Sequence, residues 1–214
     1  MELSANVRGT EGHGGPMPHT RIQVLVRPAT RADIGGIVDV SNTSLNPDED
    51  NGFGAPSSDQ PFTDAHRLAA AWQEPNLVRS EEVLVAEMDG RIVGVVSVQD
   101  RGENLELINI DVPQALQGRG IGSQMVRLVE ERARREAKKA VTLGTSRNDK
   151  GVAWKSLPWW QSLGYRITHE EENAWTRSIG PGVREIRMRK DLPWEDAGSR
   201  TRLKDQLHRH DPLD

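Results

Sequence analysis

Gln117, Gly118, Arg119, Gly120, Ile121, Gly122 and Ser123 stand where a strand-like stretch gives way to a long helical one. Glycine at alternate positions lets the main chain turn sharply and lets a ligand approach the backbone closely. At the start of a helix the first amide hydrogens have no intrahelical acceptor, and the helix dipole is positive there. An anionic group, a phosphate above all, is therefore stabilised at such a place. Two familiar phosphate patterns do not fit. A dinucleotide fingerprint G-x-G-x-x-G starting at Gly118 needs glycine at position 123, where Ser123 stands, and no acidic residue closes a second parallel strand. A Walker loop would continue into Gly-Lys-Ser or Gly-Lys-Thr, which is absent. The plain alternative is a glycine-rich turn with no ligand. Cysteine is absent, which removes thiolate metal sites and a thiol nucleophile. His208 and His210 have no acidic or cysteine companions at metal spacing, so no metal is expected.

The elements that must position the loop are read from periodicity. Residues 22–29 alternate as a strand. Residues 29–45 follow as a helix capped by Thr30, with Ile34, Ile37, Val38 and Ser41 on one side. Residues 46–62 form a loop rich in turn formers and long enough to act as a lid. A second helix, capped by Asp64, carries Leu68, Ala71 and Trp72. Residues 82–100 read as two strands joined by the Asp89-Gly90 turn, and 104–112 as another. The helix after the glycine loop turns Ile121, Met125, Leu128 and Val129 to the core, with Glu130/Arg134 and Glu131/Arg135 as i,i+4 pairs. A strand at 140–146, a short helix at 154–162, a strand at 164–170, a long loop and a strand at 183–192 complete the order. Antiparallel strands before a strand-helix-strand unit predict one α/β (mixed α+β) domain over residues 21–192. Its central mixed, mostly antiparallel sheet has about seven strands flanked by helices. Residues 1–20 read as a flexible tail and 193–214 as a charged one.

At residues 117–122 the chain resembles the GNAT superfamily of acyl-CoA-dependent N-acyltransferases, whose signature [QR]-x-x-G-x-[GA] lies between a strand and a long helix in this order. The preceding strand ends in Val112 and Pro113, as is common in the family, and "WWQSLGY" (residues 159–165) stands where the family has "FYEKLGF". The resemblance covers roughly residues 22–191. It implies acetyl-CoA as co-substrate, with the pyrophosphate on the loop from Gln117 to Ser123 and the pantetheine arm along the backbone of Ile110, Asp111 and Val112. It implies no metal.

Acyl transfer to an amine needs a neutral nucleophile, a site for the developing oxyanion and a proton for the departing thiolate. The resemblance points to a carboxylate on strand 104–112 as base. Glu106 comes first, because the family often places a catalytic glutamate in the first half of that strand, and Asp111 second. A purely structural carboxylate is the alternative for each, and a bulge in the strand would decide which faces they occupy. A backbone amide near Val112 is the implied oxyanion donor. The tyrosine that protonates sulfur in many members is replaced by Trp160, and an indole is no phenolic acid. Tyr165 takes the place of a core phenylalanine. Water, another group, or CoA binding without turnover are the ways this departure resolves.

A net charge of -4 argues against nucleic acid and anionic membrane surfaces as partners. No apolar run approaches a membrane span or a signal peptide core, so a cytoplasmic protein is expected. The acceptor expected is a primary amine of a small molecule, bordered by the acidic runs at 47–50 and 169–175. Protein or peptide amines, and a non-catalytic CoA-binding module, are the alternatives; a homodimer is left open.

Overall fold

The computed structural model describes residues 23–44 and 61–193. Both tails, the acidic run 47–50 and the terminal histidines lie outside the described residues.

Strand β1 (Leu25–Pro28) leads through a 3-10 turn at Arg31–Asp33 into helix α1 (Ile34–Ser44). Asp33 fixes that junction. Its carboxylate accepts from both Nη groups of Arg27 at 2.7 and 2.9 Å, and from the amide and hydroxyl of Thr30 at 2.7 and 3.0 Å. The Arg27 bonds above all hold its pKa at about 2. Helix α2 (Ala65–Ala71) is capped by Asp64, which accepts from the Arg67 amide at 2.9 Å.

Three corrections follow. Helix α2 ends at Ala71, so Trp72 belongs to strand β2 (Trp72–Gln73), which pairs with β3 (Leu77–Val78). These two-residue strands, too short to show a period, bring the sheet to nine strands where about seven were expected. Next come β4 (Glu81–Met88), β5 (Arg91–Arg101), β6 (Asn104–Asp111), α3 (Ile121–Arg135), β7 (Ala140–Arg147), α4 (Leu157–Ser162) and β8 (Arg166–Glu171). The segment expected as a long loop contains α5 (Ala174–Ile179), capped by Asn173, before β9 (Arg184–Asp191).

The sheet order is β2-β3-β4-β5-β6-β7-β9-β8, with β1 on β4. Every pairing is antiparallel except β6 with β7. Alternation along each strand makes two apolar layers. Under α3 and α4 lie Val96, Val98, Leu105, Leu107, Val141, Leu143, Ile186 and Met188, packed on Ile121, Met125, Val126 and Val129. Under α1 and α2 lie Val83, Val85 and Val95, packed on Ile37, Val40 and Leu68.

One irregularity matters for function. The register of β6 on β5 slips so that Leu107 faces Val98 and Asn109 faces Ser97, leaving Ile108 as the extra residue. Before this bulge Leu105 and Leu107 join the α3 layer; after it Ile110 and Val112 do. Glu106, Asn109 and Asp111 therefore share the opposite face, the one turned to α1. No helix among the described residues is long and apolar enough to cross a membrane.

Candidate active site

Strands β6 and β7 pair only from Asn104 with Ala140 to Leu107 with Leu143. Beyond this point β6 continues to Asp111 and β7 to Arg147 without bonding to each other, so their facing edges open into a wedge. The segment after β7 folds back over part of it, the Trp154 amide donating to the Ser146 carbonyl at 2.8 Å. On β6 the edge of residues 108–112 has no strand partner among the described residues. Main-chain donors and acceptors on such an edge are complementary to an extended ligand that carries amides of its own.

The wedge leads to the glycine loop. Gly118 and Gly120 adopt φ of +75° and +85°, the left-handed region where glycine escapes the side-chain clash. Gly120 is the N-cap of the 15-residue α3. The amides of Leu116, Gln117 and Gln124 bond to the carbonyls of Pro113, Gln114 and Gly120. Those of Gly118, Arg119, Gly120, Ile121, Gly122 and Ser123 have no acceptor among the described residues. Two of the expected binding residues have further employment. A Cβ on Gly122 would stand 3.2 Å from the Trp159 ring, so this glycine also lets α4 approach α3. Gln117, whose own amide is bonded, uses Nε2 to donate to the carbonyls of Ser44 and Val112, both at 3.0 Å. It ties the end of α1 to the end of β6. Arg119 is exposed.

Residues 46–165, more than half of the chain, match the model of the Acetyltransferase (GNAT) family. The chain belongs to the GNAT acetyltransferase family. Solved structures share the fold. An IAA acetyltransferase from Bacillus cereus is 21% identical with TM-score 0.53, over 79% of this chain and 100% of that one. A ribosomal-protein alanine N-acetyltransferase from Escherichia coli is 11% identical with TM-score 0.58, over 82% and 97%. A putative acetyltransferase from Salmonella typhimurium, solved with its cofactor acetyl-CoA, is 21% identical with TM-score 0.56, over 82% and 98%. No curated protein matches.

In this GNAT chain the two carboxylates singled out by sequence have opposite surroundings. Glu106 is only 6% exposed. Its Oε1 accepts from Arg187 Nη2 at 2.5 Å and its Oε2 from Arg101 Nε at 2.6 Å. Burial by itself would raise its pKa, but the two guanidiniums together outweigh that and hold it below the ordinary carboxylate range. Arg187 Nη1 donates in turn to Glu185 at 2.8 Å, and Asn173 Nδ2 donates to the other Glu185 oxygen. A Cβ on Gly144 would collide with the Glu185 carboxylate, so the bare residue on β7 is what lets this charged ladder cross the sheet. Among the described residues Asp111 has no cationic partner. Asn109 Nδ2 at 2.7 Å, Ser41 Oγ at 2.8 Å and Ser44 Oγ at 3.1 Å donate to it. Burial raises its pKa in spite of these bonds.

Glu106 and Asp111 are five residues apart on an extended strand, up to about 16 Å, too far to serve one reacting atom together. Glu106 adjoins Leu107 at the apex of the wedge, and Asp111 lies toward its mouth. Sequence reasoning missed Arg101, Arg187, Glu185 and also Glu81. Glu81 faces α1 too, accepts from Ser97 Oγ at 2.7 Å and has its pKa raised by burial. Part of the signal was present: in β9, Glu185, Arg187 and Arg189 alternate with the buried Ile186 and Met188, which marks one charged face on an inner strand. Their meeting with Glu106 depends on strands distant in sequence.

The family's proton-donor position is closed. Trp160 is 4% exposed, 4.4 Å between centroids from Trp159 and edge-on to Tyr165 at 5.4 Å. Tyr165 is buried and donates to Glu130 Oε1 at 3.2 Å, and burial pushes its hydroxyl well above the usual phenol range.

Proposed function

We propose that the chain is an N-acetyltransferase that moves the acetyl group of acetyl-CoA to the primary amine of a small molecule by direct attack. The observation that carries this reading is the wedge between β6 and β7 leading to the amides of residues 118–123, which have no acceptor among the described residues. These residues fit the co-substrate. The amides from Gly118 to Ser123 would hold its pyrophosphate, with Gln117 shaping the loop, and the free edge at Ile110, Asp111 and Val112 its pantetheine amides. Acetyl-CoA supplies an acyl group already activated as a thioester.

Glu106 is assigned to the acceptor amine. Ionised and paired with two guanidiniums, it orients the ammonium by hydrogen bonding more than it abstracts a proton, and water relays the proton away. Asp111, enclosed by α1 hydroxyls, holds α1 on β6. With Trp160 and Tyr165 in the core, the departing thiolate takes its proton from water.

That same absence of an accessible phenol favours a second reading, a GNAT module that binds CoA without turnover. Free-thiol release from acetyl-CoA, followed over a panel of small amines and an alanine-terminated peptide, separates them. Release with small amines supports the transferase; tight CoA binding with no release on any acceptor supports the module. Glu106→Gln is expected to lower kcat at least ~100-fold while acetyl-CoA affinity is retained.

A further inference from the structure

Guanidiniums as well as carboxylates occupy the α1 face beside the wedge apex, and this bears on the acceptor. Arg187 has both Nη groups committed, to Glu185 and to Glu106. Arg101 is differently placed. It stands at the β5-β6 turn opposite Asn104, its side chain is 51% exposed, and its Nε alone is engaged, by Glu106. Among the described residues nothing accepts from its Nη1 and Nη2. A guanidinium anchored through Nε and open along its fork is shaped to take a carboxylate in a bidentate pair. Glu106 accepts one hydrogen bond at each oxygen from these arginines, which leaves lone pairs for an ammonium. The formal charges of Glu106, Glu185, Arg101 and Arg187 cancel, and Glu81 on the same face, its pKa raised by burial, adds at most one negative charge. A polycation would meet two arginines here, whereas a zwitterion finds a partner for each charge.

We infer that the acceptor is an aminocarboxylate, its amine held at Glu106 beside the wedge apex and its carboxylate on the open fork of Arg101. This rests on the N-acetyltransferase reading and names the substrate class of that site. Reaction would break the thioester C–S bond and form an amide C–N bond; the amine proton leaves through water and the sulfur departs as CoA thiol.

The test uses the full chain with acetyl-CoA. The acceptors are L-α-amino acids, β-alanine and γ-aminobutyrate, each beside its carboxamide, its decarboxylated amine and its aminophosphonate analogue, and kcat/KM is read from thiol release. The expected result is a preference of about 10- to 100-fold for at least one aminocarboxylate over its carboxamide. Arg101→Gln should collapse that ratio, and Arg101→Lys, which keeps the charge but not the fork, should restore part of it. Because Arg101 also touches Glu106, the ratio between acceptors is the readout, with melting temperature as the folding control. Amines lacking a carboxylate turned over as well as the aminocarboxylates, an unchanged ratio in Arg101→Gln, or preference for the phosphonate over both would overturn the proposal while leaving the transferase standing. If no acceptor releases thiol, the transferase reading fails. Calorimetric binding of the same pairs to the protein-CoA complex then decides the inference: selective binding of the carboxylate member supports it, and equal binding or none overturns it.

Discussion

A side chain at position 120 would have to follow a backbone at φ +85° and would stand among amides that have no acceptor among the described residues. Gly120→Val is therefore expected to cost about 1–2 kcal/mol of stability, from the left-handed backbone alone, and to weaken acetyl-CoA binding at least ~10-fold. Denaturant unfolding measures the first and calorimetry the second. A variant that folds less stably yet binds acetyl-CoA as well as the parent would remove the loop from the binding site. Glu106 shows a different lesson at this scale. Its place in a strand was readable from the sequence pattern of residues 104–112 and its candidacy came from the family resemblance, but its electrostatic state was not readable, because Arg187 lies 81 residues away in sequence. A carboxylate paired with two arginines is a better anchor than base, which makes Glu106→Gln a test of orientation as much as of proton transfer.

Among the elements, β6 carries most of the site, and its bulge is the device that puts Glu106 and Asp111 on one face. No side-chain pattern in residues 104–112 locates a bulge, since one inserted residue inverts everything after it. The tie between β6 and α1 through Asp111 gives a pH prediction. An acid whose pKa is raised on folding contributes its full stability below the unfolded value of about 3.9, and loses it as pH rises through the folded value. Urea titrations from pH 4 to 8 should therefore show the wild type losing stability relative to Asp111→Asn as pH rises. Asp111→Ala leaves the donors of Ser41, Ser44 and Asn109 unpaired and should be about 1–3 kcal/mol less stable than Asp111→Asn at every pH in that range. If Asn and Ala variants behave alike, the tie contributes nothing to the packing of α1.

For the molecule as a whole, binding to the folded state alone raises the melting temperature. Acetyl-CoA at about 100 times its Kd adds ~2.7 kcal/mol, which for a domain of this size is a rise of roughly 5–10 °C. Thermal scans of wild type and Gly120→Val at that same thioester concentration should show the full rise in the first and at most about half of it in the second. Absence of any rise in the wild type would count against the whole cofactor reading.

By itself the sequence determined most local matters: the order of the strands and helices other than α5 and the two shortest strands, the Asp89-Gly90 hairpin, the cap at Asp64, and the glycine loop opening α3. Each depends on residues close along the chain, where periodicity and backbone preference act directly. Only the tertiary structure decided the two short strands, the bulge, the parting of β6 from β7, and the ladder from Arg101 through Glu106 and Arg187 to Glu185. Those depend on which strands become neighbours and where their pairing stops, and a carboxylate's basicity is set by the charges that such neighbours bring to it.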